Sequence, residues 1–152
     1  MTVIIRKAEA RDVKRICEIV SQMTPGLPHD YREAVLSFRA KIENNPDYFL
    51  WVAEDGEVVG TAMMHLQHKL SYCCGTAAHL EDVVVDNKYR GKGVGKLLVN
   101  KAVEQAKLCG AYKIMLTCYQ KTIPYYTALG FKEHDFGMRM SLIENEHPTV
   151  KE

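Results

Sequence analysis

The spacing of apolar residues along the 152-residue chain predicts alternating helices and strands. After a short β-rich start at residues 3–5, apolar side chains recur at three- and four-residue steps over residues 13–23, which predicts an amphipathic helix. Residues 24–28 contain two prolines and a glycine and predict a loop. A second helix is predicted from about residue 30 to residue 43.

The pattern changes to that of strands in the middle of the chain. Residues 48–53 and 58–66 are rich in aromatic and β-branched side chains, and Asp55-Gly56 between them predicts a hairpin. Residues 71–75 predict a further connection. The next strand, over residues 78–85, ends in three consecutive valines and is apolar on both faces, as expected for a central strand.

The second half of the chain alternates between the two patterns. Residues 95–109 form the most regular amphipathic helix pattern, followed by Gly110 in the position of a helix terminator. A strand is predicted over residues 112–118 and a short helix over residues 123–129, with Pro124 in its first turn. Two last strands are predicted from the spacing that follows, over residues 131–133 and 136–142. The sum is a mixed α/β protein.

Composition and charge limit the class of protein. Apolar residues make up 47% of the chain and charged residues 26%, enough for one packed domain, predicted over residues 1–143 with a loose tail over 144–152. The net charge of +1 argues against a non-specific nucleic-acid binder. No apolar run reaches membrane-spanning length, and the first residues lack a signal-peptide pattern. We therefore expect a soluble, cytoplasmic protein without membrane partners.

The five cysteines do not predict a disulfide scaffold. Their number is odd and they show no CxxC spacing, which favours a reducing compartment. A zinc site built from His65, His68, Cys73 and Cys74 is also not expected, because side chains three residues apart on a strand, and adjacent ones, point to different faces. No metal is predicted.

The segment 86–96, between the three valines and the best helix, combines glycines with cations. Alternate glycines let the backbone approach a ligand closely, and the helix that follows adds the positive end of its dipole. The glycines are Gly91, Gly93 and Gly95, and the cations are Arg90, Lys92 and Lys96. The segment predicts a phosphate or pyrophosphate site. The alternative is an ordinary glycine-rich turn with solvated lysines.

Two common phosphate-binding motifs are absent from this segment. A P-loop needs Ser or Thr after Gly-Lys, but Leu97 follows Gly95-Lys96. The dinucleotide pattern GxGxxG, started at Gly91, needs a glycine where Lys96 stands. Residues 90–95 instead resemble the Arg/Gln-x-x-Gly-x-Gly/Ala signature of the GNAT superfamily of acetyl-CoA-dependent N-acetyltransferases.

The resemblance to this superfamily covers about residues 3–140. Residues 123–131 are similar to its late FYxxxGF helix. Residues 79–86 and 110–113 are most similar to the glucosamine-6-phosphate N-acetyltransferase family, and residues 66–72 also resemble aminoalkylphosphonate acetyltransferases. The resemblance implies a GNAT fold, with a mixed, mostly antiparallel sheet of six to seven strands flanked by about four helices. It also implies a homodimer that exchanges contacts through residues 136–142 or their neighbours.

The resemblance further implies which residues bind acetyl-CoA as co-substrate. The strand residues Val83, Val84 and Val85 would face the pantetheine arm, and Lys121 would border the far side of the cofactor. The residues expected to hold the pyrophosphate are Arg90, Gly91, Lys92, Gly93, Val94, Gly95 and Lys96. Tyr126 matches the tyrosine that meets the departing thiolate, as both a cofactor-binding and a catalytic residue.

The expected reaction is direct attack of a primary amine on the thioester in a ternary complex. A backbone N–H near Val83 would stabilise the oxyanion, and Tyr126 would act as general acid. Glu81 and Asp82 are the two candidates for taking the proton of the amine. Since Tyr125 and Tyr126 are adjacent, only one of them can face the site.

The expected acceptor is a small-molecule amine, and seven residues are candidates for binding it. They are Thr24, Lys69, Tyr72, His79, Glu81, Asp82 and Thr117. The sugar-phosphate enzymes typically carry an acidic residue where this chain has Thr117, which leaves the acceptor open between glucosamine 6-phosphate, an aminoalkylphosphonate and another small amine. A protein N-terminus or lysine as acceptor, and a non-catalytic acyl-CoA-binding module, are the remaining alternatives.

Overall fold

The computed structural model of the chain describes residues 2–24 and 30–142. Residues 25–28 of the predicted loop and the predicted tail over 144–152 therefore lie outside the described residues. The chain consists of two compact units, Met1–Met115 and Leu116–Glu152. The first contains the sheet, and the second contains a short helix and the segment that follows it.

The first unit is built on a sheet of five strands in the order β1-β2-β3-β4-β5. Neighbours from β1 to β4 are antiparallel, whereas β4 and β5 are parallel. The strands are β1 (Ile4–Lys7), β2 (Tyr48–Asp55), β3 (Glu57–His68), β4 (Thr76–Val85) and β5 (Lys113–Met115). A mixed, mostly antiparallel sheet is confirmed. The predicted number of six to seven strands is wrong for the described residues, which form five.

The difference lies at the end of the chain. Residues 131–133 and 136–142, predicted as strands, have no strand structure, and the predicted strand over 112–118 is confined to β5. In the last segment the alternating side chains of Phe136, Met138, Met140 and Leu142 are between 83% and 99% exposed. Alternation marks one apolar face, but a strand also needs a neighbour to pair its backbone groups, and the pattern does not supply that neighbour.

The predicted helices are present, with one addition. They are α1 (Val13–Val20), α2 (Tyr31–Phe38), α3 (Ser71–Cys74), α4 (Val94–Leu108) and α5 (Ile123–Ala128). A π-helical turn, Arg39–Glu43, extends α2 to the predicted end. The addition is α3, a single turn within the predicted connection over 71–75. Its Tyr72 and Cys73 have left-handed backbone angles, with φ of 53° and 55°.

Helices α1 and α4 cover opposite faces of the sheet. On one face, Ile16 and Ile19 of α1 are buried with Val52 of β2 and Val84 of β4. On the other face, α4 lies close to β3 at Gly60, where a Cβ atom would lie 3.2 Å from Leu98 Cδ1. Because both faces are covered at this end, the last residues of β4 are apolar on both sides, as the three valines predicted.

Candidate functional site

A β-bulge interrupts β4 beside its buried end. Thr61 pairs with Val84 and Met63 with Glu81. The single residue between the two β3 partners therefore lies opposite two residues of β4. The extra residue falls at Asp82, which has a positive φ of 50°. A bulge leaves ladder groups unpaired, and a non-glycine residue in this conformation carries local strain that is common at functional sites. The bulge is where the sequence predicted an oxyanion donor near Val83.

Two carboxylates flank the bulge. The side chain of Glu81 is 50% exposed. Desolvation raises the pKa of Asp82, and the adjacent charge of Glu81 raises it further. A raised carboxyl pKa means a more basic carboxylate, which suits Asp82 to a role near an amine. The structure thus places both predicted carboxylates at one irregular point of the sheet.

A row of aromatic rings crosses the sheet two residue pairs beyond Glu81. Tyr48 pairs with His65, and His65 pairs with His79, in consecutive strands. The rings of Tyr48 and His65 are stacked with centroids 5.5 Å apart, and those of His65 and His79 at 4.9 Å. Glu81 Oε1 lies 3.9 Å from His65 Nδ1, so the row and the carboxylate share one face.

His79, a predicted acceptor-site residue, is held at the far side of this row. Its Nε2–H donates to Gln67 Oε1 at 3.0 Å. Burial lowers the pKa of His79, as do the charges of His65, Lys69 and Lys113, and only Glu81 acts in the opposite direction. His79 is therefore favoured in its neutral form.

Tyr72 and Lys69 lie against Tyr112, the residue that precedes β5. Tyr72 stacks on Tyr112 with ring centroids 4.7 Å apart, and Lys69 Nζ lies 6.0 Å from the centroid of the Tyr112 ring. A Cβ atom at Gly75 would come within 2.9 Å of the Tyr72 carbonyl oxygen. The left-handed turn α3 therefore needs glycine at its end to bring Tyr72 against Tyr112.

Thr24 lies after α1, where its N–H donates to Val20 O at 3.0 Å.

The glycine-rich segment forms an exposed turn that leads into α4. Gly91 and Gly93 have positive φ angles of 75° and 83°, and Gly93 is the N-cap of the helix. The N–H groups of the first helical turn have no preceding carbonyl to bond, and the first that bonds back to the turn is that of Leu97, at 3.2 Å from Gly93 O. Arg90 Nε donates to Val85 O at 3.0 Å, so this arginine is tied to the end of β4.

A buried aspartate anchors the start of this segment. Asp86 is only 4% exposed and accepts hydrogen bonds from Arg15 Nη2 at 2.7 Å, the Lys88 N–H at 2.9 Å and Gln22 Nε2 at 3.3 Å. The pKa of Asp86 is lowered, above all by the Lys88 hydrogen bond; burial acts in the opposite direction, and the hydrogen bonds of Arg15 and Gln22 add to the lowering. No role was predicted for Asp86 from the sequence. The only local indication of one is its position between the end of a strand and the start of a helix.

The second unit carries the predicted residues Tyr126, Thr117 and Lys121. The Tyr126 ring packs edge-on against Tyr125 at 5.0 Å and against Phe131 at 5.8 Å. Burial raises the pKa of Tyr126 to about 12, so its phenol keeps its proton. Thr117 and Lys121 are exposed, and Lys121 Nζ lies 5.7 Å from the Tyr119 ring centroid. Of the two adjacent tyrosines, Tyr126 is the more buried.

The structure adds two residues to the sheet face that carries Glu81 and His79, and the sequence did not predict their place there. His65 and Tyr48 stand in the same row as His79, yet nothing in their local sequence relates them, because the strand register brings them together. Among residues 2–24 and 30–142, no group of three or more His, Cys, Asp and Glu side chains could hold a metal ion. No helix in those ranges is long and apolar enough to cross a membrane.

In this chain a bulged central strand leads through a cationic, glycine-rich turn into helix α4. Residues 7–131 match the model of the acetyltransferase (GNAT) family, and the chain belongs to this family. The strand-turn-helix unit from β4 to α4 lies within the matched region.

Proteins similar to this chain include several with a named substrate. The glucosamine 6-phosphate N-acetyltransferase of Trypanosoma brucei brucei is 40% identical over 87 residues, which are 57% of this chain and 59% of that protein. Glucosamine 6-phosphate N-acetyltransferase 1 of Oryza sativa subsp. japonica is 32% identical over 142 residues, with 88% and 84% covered. The chain spans about three fifths of the length of the Trypanosoma relative and 63% of a probable glucosamine 6-phosphate N-acetyltransferase of Drosophila melanogaster.

The fold is also similar to that of solved structures. The crystal structure of glucosamine-6-phosphate N-acetyltransferase from Arabidopsis thaliana matches with a TM-score of 0.87 and 29% identity, covering 94% of this chain and 100% of that chain. This agreement over nearly the whole length confirms the predicted GNAT fold.

Proposed function

We propose that this protein transfers the acetyl group of acetyl-CoA to the primary amine of glucosamine 6-phosphate. The bulge of β4, next to the glycine-rich start of α4, is the observation that carries the acetyl-transfer part. The names of the similar proteins support the choice of acceptor. The charge on the open sheet face also fits such an acceptor. Glu81 places a carboxylate beside His65 on this face, and the positive charges of Lys69 and Lys113 act on His79.

The phosphates of acetyl-CoA would lie on the turn before α4. The unpaired N–H groups of Val94, Gly95 and Lys96 and the positive end of the helix dipole suit a pyrophosphate. Lys92 and Lys96 are exposed and add positive charge. The pantetheine arm would run along Val83, Val84 and Val85, where the bulge frees backbone groups from the ladder.

The chemistry would take place where β4 bulges. An amine held near Glu81 and Asp82 attacks the thioester carbonyl once it has lost a proton, and a backbone N–H at Val83 stabilises the oxyanion. The CoA sulfur then leaves and takes up a proton. The Tyr126 phenol, which stays protonated because burial raises the pKa of Tyr126 to about 12, is the proposed donor.

The substrate is tested by release of free CoA thiol with a panel of amines. We expect glucosamine 6-phosphate to be acetylated with a kcat/KM at least about tenfold above that of unphosphorylated glucosamine, since a single ion pair to the phosphate is worth about 1.4 kcal/mol or more. A higher kcat/KM for an aminoalkylphosphonate would select that acceptor instead, and a higher kcat/KM for a peptide amine would select protein acetylation. Absence of thiol release with every amine would contradict the proposed function.

The cofactor site is tested by charge reversal on α4. Lys96→Glu, in the first turn, should raise the Kd for CoA at least about tenfold, because it places a negative charge beside the proposed pyrophosphate. Lys107→Glu is the matched control, an exposed lysine in the last turn of the same helix. Equal effects of the two substitutions would show that the pyrophosphate does not bind at this turn.

We further propose a cytoplasmic homodimer joined through residues 136–142. All five cysteines are free thiols, which fits a reducing compartment. Phe136, Met138 and their alternate neighbours present an exposed apolar edge that a second copy could pair with. Light scattering should give twice the monomer mass, and Met138→Asp should give the monomer. Leu108→Asp, at an apolar and 74% exposed position of α4, is the control that should remain dimeric.

A further inference from the structure

An amine acceptor reaches an acetyltransferase mainly as its ammonium form and must lose a proton before it can attack. A side chain that titrates near neutral pH does this most effectively, and histidine is the ordinary choice. The predicted candidates Glu81 and Asp82 are carboxylates. The open sheet face beside them also holds His65, which the sequence suggested only as a source of positive charge for the acceptor and not as a catalytic group.

His65 stands next to the bulge on the acceptor face. It follows Met63 by two residues on β3, and Met63 is the partner of Glu81. Two residues of a strand span about 6.6 Å, so His65 lies within reach of one bridging water or of Glu81 itself from an amine placed at the bulge. Glu81 Oε1 is 3.9 Å from His65 Nδ1 and provides an ion-pair partner for a protonated imidazole.

The rings on either side hold His65 in place. Tyr48 stacks on one side at 5.5 Å and His79 on the other at 4.9 Å, with interplanar angles of 22° and 11°. A ring fixed between two others loses little further freedom when substrate binds, so its nitrogen is already oriented.

We propose that His65 accepts the proton of the acceptor amine, directly or through Glu81, and is therefore a further catalytic residue; this rests on the proposed acetyl transfer. The neutral imidazole takes one proton from the ammonium group. The freed lone pair forms the C–N bond and gives a tetrahedral intermediate whose nitrogen loses a second proton. The C–S bond then breaks, the CoA thiolate takes a proton from the general acid, and the second nitrogen proton replaces that proton through solvent. His65 then returns its proton to solvent, so each turnover releases one proton overall.

The neighbouring groups assign this role to His65 rather than to His79. The Nε2–H of His79 is engaged by Gln67, and burial together with the charges of His65, Lys69 and Lys113 lowers the pKa of His79. Two imidazoles 4.9 Å apart do not readily carry two positive charges. Of the two imidazoles, His65 is the one with Nδ1 3.9 Å from Glu81 Oε1.

The test compares His65→Gln with the wild-type protein in the thiol-release assay between pH 5.5 and 9. We expect kcat at pH 7 to fall about 100-fold or more, the acidic limb of the kcat profile to disappear, and the KM for acetyl-CoA to stay within twofold. Added imidazole should restore part of the rate. His68→Gln is the control, because His68 is a more exposed histidine of the same strand, bonded to Asp47 and Thr76, and its variant should keep wild-type kinetics.

A second variant separates catalysis from folding. Glu81→Gln removes the ion-pair partner of the imidazole, so the acidic limb should move to lower pH while still being present. A His65→Gln variant with an unchanged acidic limb, or with a reduced rate that imidazole does not restore, would overturn the proposal while leaving the proposed function intact. A wild-type protein that releases no thiol with any amine would overturn both.

Discussion

Replacement of Asp86 should loosen the contact between the core of the first unit and the start of the glycine-rich turn over residues 90–96. Its carboxylate accepts from Arg15, in α1, and from the N–H of Lys88, while its own N–H donates to Val59 O at 2.9 Å. Gln22 completes the set by donating to Asp86 and accepting from the N–H of Asn87 at 2.9 Å. One buried side chain thus joins α1 to the segment that leads into residues 90–96.

The expected cost follows from the burial of the two partners. Removing one partner of a fully buried pair costs about 3–5 kcal/mol, but the Arg15 side chain is 30% exposed and can recover part of its hydration. Asp86→Asn also keeps one acceptor oxygen for the Lys88 N–H. We therefore expect a loss of about 2–4 kcal/mol in the free energy of unfolding. For a chain of this length, about 3 kcal/mol corresponds to a fall in Tm of roughly 6–12 °C.

Urea unfolding and thermal melts of Asp86→Asn measure this loss, with Glu57→Gln as the matched control. Glu57 faces the same Arg15 at 4.0 Å, but its side chain is 61% exposed, so its loss should cost less than about 1 kcal/mol. The Kd for CoA should rise in Asp86→Asn because the turn before α4 loses its anchor. If both variants lose equal stability, or if Asp86→Asn loses less than about 1 kcal/mol, the buried pair is not what holds the segment.

Three further predictions test the chemistry, the packing and the acid stability. Tyr126→Phe should reduce kcat about 100-fold with an unchanged Kd for acetyl-CoA; unchanged turnover would remove Tyr126 from the mechanism and favour another proton donor. Gly60→Ala should destabilise the fold by about 1–2 kcal/mol in urea, because its Cβ would lie 3.2 Å from the carbonyl oxygen of Val84, and an unaltered midpoint would contradict this. The pKa values of Asp12 and Asp86 are lowered in the fold, so their contribution to stability is present above the unfolded value of 3.8 and is lost as pH falls through the folded values. Unfolding free energies measured from pH 7 to pH 2.5 should therefore drop below about pH 4, and less steeply in Asp86→Asn.

Features that depend on neighbouring residues could be predicted from the sequence. The three- and four-residue spacing located α1 and α4, and Asp55-Gly56 located the hairpin between β2 and β3, because each depends on a single turn or helix face. The glycine-rich turn over residues 90–96 could also be located, since its glycines and cations are contiguous. Left-handed glycines at 91 and 93 follow directly from that pattern.

Features that depend on pairing between distant segments could not be predicted in this way. Arg15 and Asp86 are 71 residues apart, and either could equally have been a solvated surface charge. The stacking of His65 on His79 depends on the register of β3 against β4, which the alternation of each strand leaves undetermined. The alternation at residues 136–142 predicted a strand, but a strand also needs a partner to pair with. The local sequence does not encode that partner.

The position of the bulge is what links the two halves of the proposed site. On one side of it, Met63 pairs with Glu81; on the other, the N–H of Asp86 bonds Val59 O and its carboxylate bonds α1. Because both sides are held, the extra residue cannot move along β4 without turning Glu81 and His79 to the opposite face. The same constraint that keeps Val84 in the core therefore keeps the carboxylate and the histidines on the open face, and it fixes where the strand ends and the glycine-rich turn over residues 90–96 begins.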